Sequence, residues 1–484
     1  GLIEISPGRG AFVRAARMSD AARPLDALYR RQKATPSDLV EARLMLEREA
    51  AGLAAQRAEP DELEAMERIL ARFDRTGDLI ERARCDVAFH ALIARMSHNP
   101  VIETMFSSIA SLTFELMLRS LGDPTVSREG LPYHREISEA CADLRQFIEA
   151  NGLPAGCAFR FQDLFDNSHA NYAGDIGIGI NPKLAQRVKD VDLLLVIGAR
   201  LGEMTTSGYT LLSVPRPAQK LIHVHAGAEE LGRVYQGDLL INSGMPQIAA
   251  ALAAMKPVAA KAWREWTACA HADYLEWTKT RTMPGKVQLW DIVDFLRQRL
   301  PADAILANGA GNFSSWLHRF YPHRMFRTQL APTSGAMGYG VPAAIAAKIV
   351  HPRRTVVSWN GDGCFLMCGQ ELATAAQYGA HVIFIVVNNG MYGTIRMHQE
   401  REYPARVHGT ALANPDFVLL ARAYGAHGEL VEETAAFAPA FERALDSTQS
   451  GGKPALIELR IDPQAITPNT TLDALREQAL KRKD

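Results

Sequence analysis

From residue 35 to about residue 140 the apolar positions recur at helical spacing. Thr35-Pro36-Ser37-Asp38 offers an N-cap with proline at the first helical position, and Leu39, Leu46, Ala50 and Leu53 then mark one face. Glu59-Pro60-Asp61-Glu62 opens a second helix in the same way. A third is expected over 78–96 and a fourth from 100 to about 119, with Ser97-His98-Asn99-Pro100 as the breaker between them. Past about residue 150 the period changes. Short β-rich runs at 191–197, 220–225, 304–307, 355–359, 381–388 and 455–461 alternate with helical stretches, the pattern of parallel sheets joined by crossover helices. The expected fold class is α/β, with an all-α helical bundle ahead of two doubly wound parallel-sheet domains. A Pro- and Ala-rich passage near 256–261 separates those two. The expected domains are 1–141, 142–255 and 285–484, with a helical linker over 256–284.

The chain has 484 residues, enough for about three domains at roughly 150 residues each. Its 47% hydrophobic and 22% charged content is that of a folded globular protein. With 53 basic against 54 acidic residues, no global charge favours nucleic acid or an anionic membrane. No apolar run approaches the roughly 18 residues that cross a bilayer. Six cysteines occur without a CxxC pair, and read as the reduced thiols of a cytoplasmic protein. The first residues have no signal-peptide plan and no initiator Met, as the downstream piece of a longer chain would show.

The most informative chemistry starts at Asn360-Gly361-Asp362-Gly363 and closes at Asn388-Asn389. Asp362 and Asn389 each follow a predicted strand, and in a right-handed βαβ unit both strand ends open on the same sheet edge. A carboxylate and an amide oxygen meeting there suit Mg²⁺, which prefers oxygen ligands and shares them with phosphates. The flanking glycines would let a phosphate approach the backbone at a helix N-terminus. The rival reading is a simple Asp-Gly turn and an unrelated Asn pair.

Gly361-Asp362-Gly363, then Glu371-Leu372-Ala373-Thr374, then Asn388-Asn389-Gly390-Met391-Tyr392-Gly393 resemble the diphosphate-binding signature of thiamine diphosphate enzymes. The resemblance implies Asp362, Asn389 and the Met391 carbonyl as Mg²⁺ ligands. Ser334 to Ala344 looks like the second cofactor segment of that family. There Met337 would prop the bent cofactor, although a Met at a helix start also reads as core packing, and the Gly335 carbonyl would accept from the aminopyrimidine. Tyr172-Ala173-Gly174-Asp175, Gly198 to Glu203, His223-Val224-His225, Thr394 to Glu400 and Asn414-Pro415-Asp416-Phe417 extend the resemblance to the acetolactate synthase-like branch, over roughly 340 residues. A dinucleotide reading of Gly198 to Gly202 competes, but the spacing is not GxGxxG and the second strand ends in His225 rather than an acidic residue. FAD, carried by the central domain in some members, is not expected here. In the family, a pyrimidine-binding domain supplies a glutamate that activates the cofactor. Nothing in residues 1–141 resembles that domain, and the central domain enters at a helix near 143–150 without an obvious first strand.

In the N-terminal part Asp86 and His90 lie i, i+4 on one helix face, and His134 could add a third donor, so a divalent transition metal is a candidate ligand. A hydrogen-bonded or exposed Asp/His pair is the alternative. Glu41 to Glu47, Asp86 to His90 and Ser97 to Pro100 resemble the effector-binding (FCD) domain of GntR/FadR-type regulators, in which the matching Asp and His residues hold a metal that holds a carboxylate. Residues 1–14 look like the remnant of a winged-helix wing. The further His ligand of that family has no match. Residues 1–140 carry 19 Lys+Arg against 22 Asp+Glu, so DNA binding is not expected.

Two functions of different class follow. One is a thiamine diphosphate- and Mg²⁺-binding protein like acetolactate synthase, a carboligase or decarboxylase of pyruvate or a related 2-oxo acid. It would be homo-oligomeric, impaired for want of the pyrimidine domain, and in need of a separate pyrimidine-domain polypeptide. The other is a metal-dependent carboxylate sensor. A non-functional gene fusion is a third.

Overall fold

The computed structural model describes residues 3–6, 10–13, 42–43, 46–47, 50, 53–54, 57–75, 79–109, 133–258 and 260–482. The chain divides into two compact units, Gly1–Arg135 and Glu136–Asp484.

In the first unit, β1 (Ile3–Ser6) and β2 (Gly10–Val13) form an antiparallel hairpin in the register Ile3↔Val13. The described residues between 42 and 57 are helical, and α1 (Pro60–Arg75) and α2 (Leu79–Met96) follow. α1 opens with the expected proline at its first position and with Asp61 and Glu62 in its first turn, where acidic side chains offset the helix dipole. Ala54, Leu92 and Met96 form a small core with Met66 and Ile69 packed on it. The break after α2 is made by His98, at φ 49, and by Asn99, whose Oδ1 accepts from the Val101 N–H (3.0 Å) and starts a helix over 100–109. The expected beginning of the first helix at 35–39, and the end of the fourth beyond 109, lie outside the described residues.

The second unit opens within α3 (Tyr133–Asn151), and its first strand is β3 (Ala155–Ala158), parallel to β4 (Tyr172–Ile176). After α4 (Pro182–Asp190), capped by Asn181, come β5 (Leu193–Ile197), β6 (Lys220–His225) and β7 (Leu239–Asn242), a parallel sheet in the order 5-6-7. α5 (Met245–Ala253) and α6 (Arg264–Trp277) complete this part. α6 falls in the stretch expected as a linker and is built into the layer. Ala270 joins the core around Leu184 and Leu221, and the Asp273 carboxylate accepts from Lys183 (2.8 Å) and Arg187 (2.6 Å) of α4.

The C-terminal part follows as α7 (Leu289–Arg299), β8 (Ile305–Asn308), α8 (Ser314–Phe320), β9 (Gln329–Leu330), α9 (Gly340–Val350), β10 (Val356–Gly361), α10 (Asp362–Phe365), α11 (Leu372–Gln377), β11 (Ile383–Asn388), α12 (Gly393–Glu402), α13 (Phe417–Ala423), β12 (His427–Val431), α14 (Phe437–Gln449), β13 (Ala455–Arg460), the hairpin β14 (Ala465–Thr467) and β15 (Thr470–Thr471), and α15 (Leu472–Lys481). Its six-stranded sheet is parallel throughout, in the order 12-13-11-10-8-9. Helices cover both faces: α7, α8 and α14 bury one cluster around Trp359 and Ile385, and α9, α11 and α13 another around Phe384 and Val386. Burial on both faces is why β10 and β11 read as continuous apolar runs instead of alternating. Gly340 is required where α9 meets the sheet edge, since a Cβ there would stand 2.7 Å from the Gly309 backbone nitrogen. Polar anchors join the central and C-terminal parts, among them the Gln162 N–H donating to Gln329 Oε1 (2.8 Å) and Asp163 Oδ2 accepting from the Thr328 and Gln329 N–H groups (3.1 and 3.2 Å). Among the described residues no helix is long and apolar enough to cross a membrane.

Candidate functional site

The register of β10 and β11 pairs Gly361 with Val387, so the two strands end side by side and Asp362 and Asn389 emerge next to one another at the carboxyl edge of the sheet. A cleft of about 540 Å³, its open mouth included, lies there. Gly361, Asp362, Gly363, Asn389, Met391 and Met337 all line it. Gly335 is not in its wall. It stands two residues before Met337 in a left-handed turn (φ +75) closed by its N–H on the Pro332 carbonyl (2.9 Å). The rest of the wall is mainly apolar, with Phe313, Trp316, Val387 and Ile466 among its members.

Asp362 is 3% exposed. Its Oδ1 accepts from the Gly363 N–H (2.8 Å), and its Oδ2 from the Gly390 N–H (2.9 Å) and from Asn414 Nδ2 (2.8 Å). Burial pushes the carboxyl pKa up, and the bonds from Asn414, Gly363, Gly390 and Met391 pull against it. Asn389 Oδ1 accepts from the Met391 N–H (3.2 Å). The loop carrying Asn389 and Met391 is pinned to residues 410–412: the Tyr392 N–H donates to the Thr410 carbonyl and the Leu412 N–H to the Gly390 carbonyl, both at 2.9 Å. The Cys364 thiol, also in the wall and raised in pKa by burial, accepts from the Gly338 N–H (3.2 Å). Trp359 Nε1 donates to the Phe313 carbonyl (2.9 Å) and holds Phe313 in place. Gly361 has to be glycine because a Cβ would meet that ring at 2.5 Å.

The expected donors, the Asp362 carboxylate, the Asn389 amide oxygen and the Met391 carbonyl, belong to residues that share one cleft. They are all oxygen, one of them anionic, which is the donor chemistry of a hard divalent cation such as Mg²⁺. Asp362 makes no salt bridge among the described residues, so its charge is met there only by neutral donors. It is also the one carboxylate among the residues lining the cleft. Asn414 and Phe313 join the site through tertiary contact. Asn414 belongs to a quoted motif, Asn-Pro-Asp-Phe, but no spacing rule connects it to Asp362.

In the first unit, His90 Nε2 lies 3.8 Å from Asp86 Oδ1, and its Nδ1 3.3 Å from Glu47 Oε1, a neighbour that had not been anticipated. Glu47 also takes Arg43 Nε (2.6 Å). Among the described residues Asp86 Oδ2 is buried without a hydrogen-bond partner, and burial raises the Asp86 pKa. His134 falls in α3, and its side chain lies outside the described residues. Among the described residues no group of three or more His, Cys, Asp or Glu side chains is arranged to hold a metal.

Residues 309–459 match the family described as thiamine pyrophosphate enzyme, C-terminal TPP binding domain. Residues 134–252 match its central domain, and residues 38–145 match the FCD domain. The acetolactate synthase isozyme 2 large subunit of Escherichia coli (strain K12) is 26% identical over 329 residues, covering 67% of this chain and 58% of its own. The acetolactate synthase large subunit of Corynebacterium glutamicum is 29% identical over 344 residues, covering 68% and 53%. The probable acetolactate synthase large subunit of Methanocaldococcus jannaschii is 27% identical over 343 residues, covering 69% and 57%. The chain spans about half the length of the curated relatives it matches.

Proposed function

We propose that this chain, which carries the central and C-terminal domains of thiamine pyrophosphate enzymes behind an FCD domain, holds thiamine diphosphate through Mg²⁺ at the carboxyl edge of its C-terminal sheet and serves a carboligase or decarboxylase of pyruvate or a related 2-oxo acid. The observation that carries this reading is the β10–β11 register, which brings Asp362 and Asn389 together on one apolar-walled cleft. Asp362, Asn389 and the Met391 carbonyl would hold the cation, and the backbone between the glycines would lie against the diphosphate. Met337 and the Gly335 carbonyl would orient the remainder. When bound, the cofactor supplies an electron sink for decarboxylating a 2-oxo acid. The apolar wall excludes water from that end of the cleft.

Asp362 would be committed to the cation and is the one carboxylate among the described residues lining the cleft, so the group that activates the cofactor would come from a pyrimidine-binding domain. That domain would be supplied by another polypeptide or another segment, in a homo-oligomeric assembly. The free state of all six cysteines supports a reducing, cytoplasmic setting. For the first unit, the buried unpartnered Asp86 Oδ2 beside His90 favours a second reading, a divalent-metal and carboxylate sensor of the FCD kind.

Calorimetric titration of thiamine diphosphate tests the first reading. Binding should require a divalent cation, inorganic pyrophosphate should compete, and Asp362→Ala should weaken binding at least ~10-fold by removing the anionic ligand. Equal affinity in Asp362→Ala would overturn the assignment.

A further inference from the structure

Asn414 lies outside the strand ends, in a segment with no ligand role in the reading above. Its Nδ2 donates to Asp362 Oδ2 and to Asn388 Oδ1, both at 2.8 Å. The Gly390 N–H donates to the same two oxygens at 2.9 and 3.0 Å. Two donors and two acceptors thus form a closed four-membered arrangement with the Asp362 carboxylate as one corner. The Asn388 amide cannot flip out of it, because its own Nδ2 donates to Glu458 Oε1 (2.8 Å) on the neighbouring strand β13. Asn414 is itself held from both sides. Residues 410–412 pair with 390–392, and Asp416 caps α13 through the Leu419 N–H (2.8 Å). Among the described residues the Asn414 Oδ1 is buried without a partner, so the side chain is oriented there by its amide donors.

We infer that Asn414 is a positioning residue, which locks the Asp362 carboxylate in one orientation and so makes the site selective for a small cation of strict geometry. The inference rests on the cofactor reading above. Without Asn414 the carboxylate keeps the Gly363 and Gly390 N–H groups, so it still attracts a divalent cation but presents Oδ2 less rigidly. Mg²⁺ demands near-ideal octahedral geometry, whereas Ca²⁺ accepts irregular and expanded shells. Loss of an outer-shell partner of this kind typically lowers affinity for the cognate metal by about 10–100-fold. Loosening Asp362 should therefore penalise Mg²⁺ far more than Ca²⁺.

The test uses the full chain and the Asn414→Leu variant, with MgCl₂ or CaCl₂ titrated at fixed thiamine diphosphate and binding read by intrinsic tryptophan fluorescence, to which Trp316 in the cleft wall contributes. Melting curves without ligand show whether the variant is folded, and Asn414→Ser provides a second, smaller variant with a hydroxyl donor. Asn414→Leu should lose about tenfold or more in apparent Mg²⁺ affinity and less than about threefold in Ca²⁺ affinity, with Asn414→Ser between it and the unmodified chain. Equal losses for both cations, or no loss for either, would overturn the positioning role and leave the cofactor reading intact. An unmodified chain with no cation-dependent signal, confirmed by calorimetry, would remove the cofactor reading and this inference with it.

Discussion

Glu400, in α12, is 0% exposed and accepts four hydrogen bonds. Oε1 takes Arg396 Nη2 (2.6 Å) and Arg476 Nη2 (2.8 Å), and Oε2 takes Arg476 Nε (2.9 Å) and the Ala405 N–H (2.9 Å). Arg476 belongs to α15, so this carboxylate is the polar anchor of the C-terminal helix. The Arg476 bonds first, against the cost of burial and with help from Ala405 and Arg396, pull the Glu400 pKa down to about 2. Against an unfolded value of about 4.3, that is about 3 kcal/mol of stabilisation. Arg476→Leu removes two of the four bonds, and Arg396 and Ala405 remain, so the expected loss is about 2 kcal/mol. Amide exchange in α15 under native conditions reads this locally, without a two-state assumption for a chain of two units. At pH 7 the α15 amides of Arg476→Leu should exchange about 30-fold faster than in the unmodified chain. A carboxylate with a depressed pKa stabilises fully above its unfolded value and loses that contribution as pH falls through the folded one. The difference between the two proteins should therefore shrink below about pH 4 and be nearly gone at pH 2. Equal exchange at pH 7, or a difference undiminished at pH 2, would refute the anchor.

His318 and His323 are buried with pKa values pushed down to about 3, chiefly by desolvation, so they are neutral when folded and take up protons on unfolding below about pH 6.5. Stability should fall as pH drops through that window, and His323→Gln should remove about 1.4 kcal/mol per pH unit of the slope between pH 6 and 4; an unchanged slope in urea titrations would count against it. In the first unit, Zn²⁺ should raise the melting temperature and His90→Ala should abolish the rise, whereas a melting temperature indifferent to Zn²⁺ leaves Asp86, His90 and Glu47 as a structural cluster.

The strands that frame the site were legible because they are buried on both faces. The run from Ile383 to Val387 has no polar residue, and its end at Asn388 is marked by the polar pair Asn388-Asn389. α1 and α2 were legible through caps and breakers. β3 was not, since Ala-Gly-Cys-Ala carries little strand propensity and gains its place from pairing with β4. β9 has two residues, and its position comes from the parallel pairing with β8 and the anchors of Gln162 and Asp163. Glu47 beside His90, and Asn414 beside Asp362, depend on the approach of segments far apart in sequence, and no periodicity reports that. The motif Asn-Pro-Asp-Phe was visible, but only the pairing of 410–412 with 390–392 shows what it touches.

Asp362 and Glu400 set out the electrostatic logic of the C-terminal part. Both carboxylates are buried, at 3% and 0% exposure, and both accept several hydrogen bonds. Glu400 has two guanidinium groups against it, and its charge is cancelled where it stands. Asp362 has backbone N–H groups and the Asn414 amide, which orient a negative charge without neutralising it. A buried anion with only neutral donors carries a desolvation cost that a cation can offset. The Glu400 carboxylate is thus paired with guanidinium groups, and the Asp362 carboxylate on the cleft is met among the described residues only by neutral donors. A guanidinium placed at the cleft should therefore weaken binding of the proposed cation in a Mg²⁺ titration, whereas Arg476→Leu should loosen α15 and leave Mg²⁺ affinity unchanged; a Mg²⁺ affinity indifferent to the added guanidinium would refute this.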